Sequence, residues 1–415
     1  MSGAQKILQF GCALLIASLG SHGARAAQAG AEADPAAPAA QEALLKDDGS
    51  DAYRREITRL ESALGAYSGQ LPEYLLSLGL SLQQSGQHQA AIDAFKRGIH
   101  LARINDGLYS AQQIPMLQRE IASHMALGQY VEADQRQLYL YRVQMRSMDG
   151  GMNRARAFMQ QAGWQHNAFR LALDGQGFAR LMSMWDLYRL ALNDIIDRQG
   201  ETSSLLVEPL QGMLLAQYLI AGYDMEGINA SLGSDNFSLQ QQLNRFHAYR
   251  AQSYQKGRAV IQAIYDIEHA NSNGTSRQTA SSRVMLGDWL LWHGQREAAM
   301  KAYRQAVAEL VDAGEAQQDI DARFAEPVAL PDIAGARRLP ETVAPEQANL
   351  QVQFDVNKQG KVLNLERVDS SDLASGRANR VLRTLRKTRF RPQLAMGEPL
   401  DTEGVTRAYE IEQAE

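Results

Sequence analysis

Two stretches of this chain carry the same spacing of small and aromatic residues, and that spacing admits few folds. Leu78-Gly79, Gly86, Ala91, Phe95 and Gly98 stand at offsets 0, +1, +8, +13, +17 and +20. Leu286-Gly287, Gly294, Ala299, Tyr303 and Ala306 repeat those offsets. The pattern predicts a tight helical hairpin. Gly79 and Ala91 let two antiparallel helices approach closely, and Gly86 sits in the turn between them. The aromatic at Phe95 or Tyr303 is expected to fill the space between its hairpin and the next. Around these copies, from about 51 to 325, apolar residues recur at helical rather than strand-like intervals.

The pattern resembles the tetratricopeptide repeat, a family whose period is about 34 residues. The two copies lie 208 residues apart, which is not a multiple of that period. Degenerate or lengthened hairpins are therefore expected between them. "IASHMALGQYVEADQRQL", with Gly128 and Ala133, is one candidate. "QGFARLMSMWDLYRLALNDIIDRQ" and "SSLLVEPLQGMLLAQYLIAGY" read as helices that match no repeat. Such arrays stack their hairpins side by side and offer long concave surfaces to partners.

Charge narrows the class of partner. The chain has 415 residues, with 42 Lys+Arg against 47 Asp+Glu. A nucleic-acid protein usually carries the opposite excess over its binding domain. Residues 1–26 read as a secretory signal: Lys6, the apolar "ILQFGCALLIASLG", then Ala24 and Ala26 at −3 and −1 of a cleavage point. That apolar run would span about 21 Å as a helix, short against a bilayer core of about 30 Å. Cys12, the sole cysteine, lies inside it, so a cleaved chain has no thiol for catalysis or metal binding. Residues 27–50 are Ala/Pro-rich and read as a flexible leader.

Four of the eleven prolines fall between 327 and 345, which marks 326–345 as a linker. Beyond it the period changes to two. In "LQVQFDVN", Leu350, Val352, Phe354 and Val356 face one way and polar residues the other. Gly360 makes a turn, and "KVLNLERV" pairs back with Leu363 and Leu365 on one face. Ser370, Ser371 and Asp372 offer N-caps to a helix with Ala378, Val381, Leu382 and Leu385 on one stripe. Pro392 stops the helical segment, and "GVTRAYEIE" forms a third strand carrying Val405, Tyr409 and Ile411. The expected fold is thus mostly α, a helical-hairpin solenoid over 51–325. A small α+β domain with a three-stranded antiparallel sheet follows over 346–415.

The order of these pieces resembles the C-terminal domain of the TonB energy transducers. The matching residues are Val352-Gln353-Phe354, Val356, Gly360, Val362, Ser370-Ser371, Arg389-Phe390, Pro392 and Gly397. The resemblance implies protein or peptide partners, among them TonB-dependent outer-membrane receptors, gripped by strand addition along Val405, Arg407, Tyr409 and Ile411. It leaves two readings open. With its signal cleaved, the chain is a periplasmic adaptor whose hairpin array holds one partner and whose sheet holds another. With residues 7–20 retained as an anchor, it is a variant energy transducer at the inner membrane, and only then is it membrane-associated.

"RTLRKTRFRP" packs Arg383, Arg386, Lys387, Arg389 and Arg391 into ten residues. Within 346–415 basic and acidic residues are balanced at 11 each. The run therefore reads as the polar face of one helix plus the chain leaving it, with contact to an acidic partner as the functional alternative. Nucleic acid is not expected, and Phe390 suits the core better than a stacking platform. The chain shows no Gly-rich phosphate loop, no G-x-S-x-G and no H-E-x-x-H, and none of its seven histidines beyond residue 26 pairs with another at i+3 or i+4. No cofactor, metal or catalytic residue is expected. An enzyme hidden in the helices between 150 and 275 is the third reading. Trp185, Trp289 and Trp292 sit at helical spacing and read as core.

Overall fold

The computed structural model describes residues 49–174, 177–225, 237–272, 274–369 and 375–411. The signal and nearly all of the leader lie outside this range, as do Ser370, Ser371 and Asp372. The described chain falls into two compact units, within Leu14–Arg198 and Gln199–Glu415.

The first unit is helical: α1 (Ser50–Leu64), α2 (Leu71–Gln84), α3 (His88–Asp106), α4 (Gln113–Ala126), α5 (Tyr130–Ser147), α6 (Met152–Arg170) and α7 (Phe178–Gln199). Consecutive helices from α1 to α6 pack on one another. The α2/α3 and α4/α5 turns are built alike. Gly86 and Gly128 take φ of 75° and 69°, and the amides of Gln87 and Gln129 reach back to Leu82 and His124 carbonyls at 2.8 and 2.9 Å. These bonds satisfy the last carbonyls of each first helix. The Gly128 stretch is therefore a hairpin, as its spacing predicts. Ala91 and Ala133 are fully buried. The Phe95 ring lies on Gly79 within its own hairpin, where any Cβ would collide with it.

The second unit contains α8 (Val207–Ala221), α9 (Phe237–Ala251), α10 (Ser253–Ser272), α11 (Arg277–Trp292), α12 (Arg296–Asp312) and α13 (Gln317–Arg323). Helix α8 packs on α10, α10 on α11, and α11 on α12. Ser204–Ala221 is long and apolar enough to cross a membrane, but 61% of that window is buried, which makes it a core segment here. The α11/α12 turn repeats the other two, with Gly294 at φ 81°. Tyr303 lies on Gly287 as Phe95 lies on Gly79, and Trp289 lies on Gly257 of α10.

The sheet follows in the same unit: β1 (Val328–Leu330), β2 (Leu350–Val356), β3 (Val362–Arg367), α14 (Ser375–Lys387), β4 (Arg389–Arg391), β5 (Leu394–Ala395), β6 (Glu398–Pro399) and β7 (Thr402–Tyr409). The main sheet is antiparallel in the order β3-β2-β7. Its inner face closes over Ala378, Val381, Leu382 and Leu385 of α14, with Phe354 and Phe390 at 5.5 Å between ring centroids. Gly360 takes φ 69° and packs so tightly that an added Cβ would strike the Phe390 carbonyl.

Two expectations are corrected. The proline-rich stretch is no mere linker, because β1 lies within it and pairs with β4 (Val328↔Arg391, Leu330↔Arg389). Three residues are too few to show a period-two pattern, which hides such a strand from sequence reading. Leu330 and Leu394 join the same apolar cluster as α11 and α12. Leu363 and Leu365 do not share an inward face either: Asn364 turns to φ 48°, the register shifts opposite it, and Leu363 is left 46% exposed. A bulge of this kind re-aims side chains along an edge.

Candidate functional site

A three-stranded sheet has two edges, and the structure treats them differently. Along β7, Val405 and Tyr409 turn inward and belong to the core, so their side chains are not offered to a partner. The outer backbone beyond Arg407 is already taken. Val343 N–H donates to the Ala408 carbonyl at 3.0 Å, and Thr342 bridges Tyr409. The Asn349 side chain accepts the Ile411 amide at 2.8 Å and donates to its carbonyl at 2.7 Å. Ile411 thus follows the strand rather than extending it. The Arg407 guanidinium donates to the Thr406 carbonyl at 3.2 Å, the Pro327 carbonyl at 3.3 Å and Glu326 at 3.0 Å. Only the outer backbone of Thr402–Val405 lacks such a cover among the described residues, and in that stretch the Gly404 amide donates to Asp355 of the paired strand β2.

The edge of β3 differs. Its inner side pairs with β2, and no strand pairs its outer side from Val362 to Glu366 among the described residues. Leu363 and Val368 stand exposed there. Helix α14 packs against β3. Its buried stripe and its basic stripe follow from one sequence: Ala378, Val381, Leu382 and Leu385 point inward, and Arg380, Arg383, Arg386 and Lys387 point outward. None of these four cations forms an ion pair among the described residues. The helix contains no acidic residue.

The remaining arginines of the basic run do not share that face. Arg389 and Arg391 lie in β4. Arg391 is buried, and its Nη1 donates to Asp288 of α11 at 2.8 and 3.1 Å. The Tyr303 hydroxyl donates to the same carboxylate at 2.7 Å. Burial pushes the Asp288 carboxyl above its ordinary range, against the pull of Arg391 and Tyr303 toward the charged form. Asp288 carried no sequence signal, since one acid beside Trp289 on a helix looks like any solvated charge.

A groove of about 470 Å³ runs beside β1, walled by Glu326–Asp332 and Arg337–Thr342, with Phe390 and Tyr409 below. Its carboxylates at Asp332 and Glu326 are paired with Arg337 and Arg407. No group of three or more His, Cys, Asp or Glu is placed to hold a metal ion among the described residues.

In the first unit the buried charges are matched locally. Fully buried Glu120 accepts Arg136 at 2.9 and 2.6 Å, and Gln137 donates to Gln161 at 3.1 Å. Burial would raise the Asp134 carboxyl, but hydrogen bonds from Arg180 and Trp164 hold it below its usual range. These contacts tie helix to helix. The sequence matches no known family model and no curated protein.

Proposed function

We propose that this chain is a non-enzymatic protein-interaction adaptor. Its helical hairpins hold one partner, and its C-terminal sheet takes an extended segment of a second by strand addition. The observation that supports this reading is the outer backbone of β3 from Val362 to Glu366, which no strand pairs among the described residues, with exposed Leu363 at its side. An open edge supplies main-chain donors and acceptors to an added strand, and alternate side chains supply selectivity. The neighbouring α14 stripe of Arg380, Arg383, Arg386 and Lys387 favours an acidic segment. The proposal thus moves the ladder from β7, where the TonB-like resemblance put it, to the opposite edge. The signal-like N-terminus supports action in the periplasm; the mass of the native chain and the fraction it occupies decide between a cleaved adaptor and an anchored transducer.

Peptides selected from a displayed library of 12-residue segments test the reading, with amide hydrogen exchange as the readout. The expected result is new protection of residues 362–367, and weaker binding when Arg383 and Arg386 are changed to Glu. Protection confined to 402–407, or no selected peptide at all, would refute it.

A further inference from the structure

Beside the groove lies a second hollow, of about 340 Å³, with an unusual lining. Its walls are Trp292, Leu330, Arg338, Thr384, Lys387, Thr388 and Arg389. Three of these seven are cations and none is an acid. The acidic residues of the region, Glu326, Asp332 and Glu341, line the adjoining groove, which shares Arg338 with the hollow. Each cation comes from a different piece of chain: Arg338 from the proline-rich stretch, Lys387 from the last turn of α14, and Arg389 from β4.

Two of them are held in place without being neutralised. Arg338 Nη2 donates to the Gly222 carbonyl at 2.9 Å, and Arg389 Nη1 donates to the Leu291 carbonyl at 3.1 Å. A carbonyl orients a guanidinium but leaves its charge, and neither arginine forms an ion pair among the described residues. Lys387 forms none either. Like charges gathered in one hollow repel one another, and an anion between them relieves that repulsion. A cleft lined with one sign of charge also concentrates the field on an entering ligand.

The remaining walls define the body of that anion. The half-buried Trp292 ring and the Leu330 side chain are apolar surfaces, of no use to a bare inorganic ion. Guanidinium forks suit a planar carboxylate, and an ammonium adds a point charge. The volume lies at the small end of ligand sites.

We infer that this hollow is a binding site for a compact organic dicarboxylate, held by Arg338, Lys387 and Arg389 against Trp292. The ligand has two possible sources with the same chemistry: a free small diacid, or a peptide ending in Asp or Glu, whose side chain and terminus present two carboxylates together. The site shares Lys387 with the stripe beside the β3 edge, but it is built with Arg338 and Arg389 and stands whether or not strand addition occurs.

Calorimetric titration of the whole chain tests the inference, with succinate, N-acetyl-Ala-Ala-Glu, its C-terminal amide and inorganic phosphate as probes. Binding of succinate or of the free-acid peptide is expected, with the stronger of the two identifying the source and with the amide and phosphate weaker. Arg338→Gln and Lys387→Gln should each weaken binding roughly tenfold. Both side chains are exposed, so the variants are expected to fold, and Lys301→Gln, exposed on α12 and outside the hollow, should leave affinity unchanged. Absence of heat with both carboxylate probes would overturn the assignment. So would equal affinity for phosphate, or an equal loss in Lys301→Gln.

Discussion

Replacing Arg391 by Met strips Asp288 of its only cationic partner among the described residues, and the structure sets both the size and the pH dependence of the cost. The two side chains are 10% and 9% exposed, so the weak-coupling rule for surface pairs does not apply. Breaking a buried pair from one side typically costs about 3–5 kcal/mol, because a charge is left behind in the interior. Asp288 keeps the Tyr303 hydroxyl at 2.7 Å and has one escape, which is to take up a proton. Starting from an unfolded pKa near 3.9, neutralising the group at pH 7 costs about 1.36 kcal/mol for each of about 3.1 units, or about 4 kcal/mol. At pH 5 the same step costs only about 1.5 kcal/mol. The folded variant would hold a proton that the unfolded chain has released, so the deficit should shrink as pH falls from 7 to 5. Comparing variant with parent at each pH cancels other titrating groups. Hydrogen exchange across α11 and β4 reads the local stability directly. The double variant Asp288→Leu/Arg391→Met should recover most of the loss, since apolar replacement of a whole buried pair is often neutral. A pH-independent deficit below about 1 kcal/mol, or a double variant as weak as the two single losses summed, would refute the argument.

Two further expectations follow from the second unit. Gly287→Ala should cost about 1–3 kcal/mol by overpacking, since the added methyl meets the Tyr303 ring and that ring is pinned by its bond to Asp288; Gly376→Ala, on α14 with open space around it, should instead gain about 0.5–1 kcal/mol, and thermal unfolding of the two variants checks the contrast. Burial lowers the His293 pKa to about 4, so the unfolded chain takes a proton first and stability should fall as pH drops from 6.5 toward 4; His293→Gln should flatten that slope in a melting series, and an unchanged slope would rule His293 out as its source.

What the sequence revealed and what it hid divide along the range of the interaction. The hairpins were legible because Gly79, Gly86 and Ala91 act on neighbours within one helical turn-back, as did Gly128. The alternation of Leu350 to Val356 and the stripe of α14 were legible for the same reason, since each is a local period. The contact of Phe95 with Gly79 was not, because a spacing does not say which atoms a ring touches. Arg391 looked like one more solvated charge, and nothing nearby in sequence announces Asp288, 103 residues away. The hollow needs Arg338, Lys387 and Trp292 together, and only the pairing of β1 with β4 places its wall at Leu330. No local pattern encodes that pairing.

That short pairing bears on how such a protein can be cut and recombined. A segment starting at residue 346 would carry β2, β3, α14 and β7, yet it would expose the Phe390 strand where β1 had lain and leave Arg391 without its acid. Leu394 would lose the cluster it shares with α11 and α12. The C-terminal sheet is therefore not an interchangeable cassette. In gene fusion or shuffling it would have to travel with the proline-rich stretch and the last hairpin, and its inheritance should track theirs.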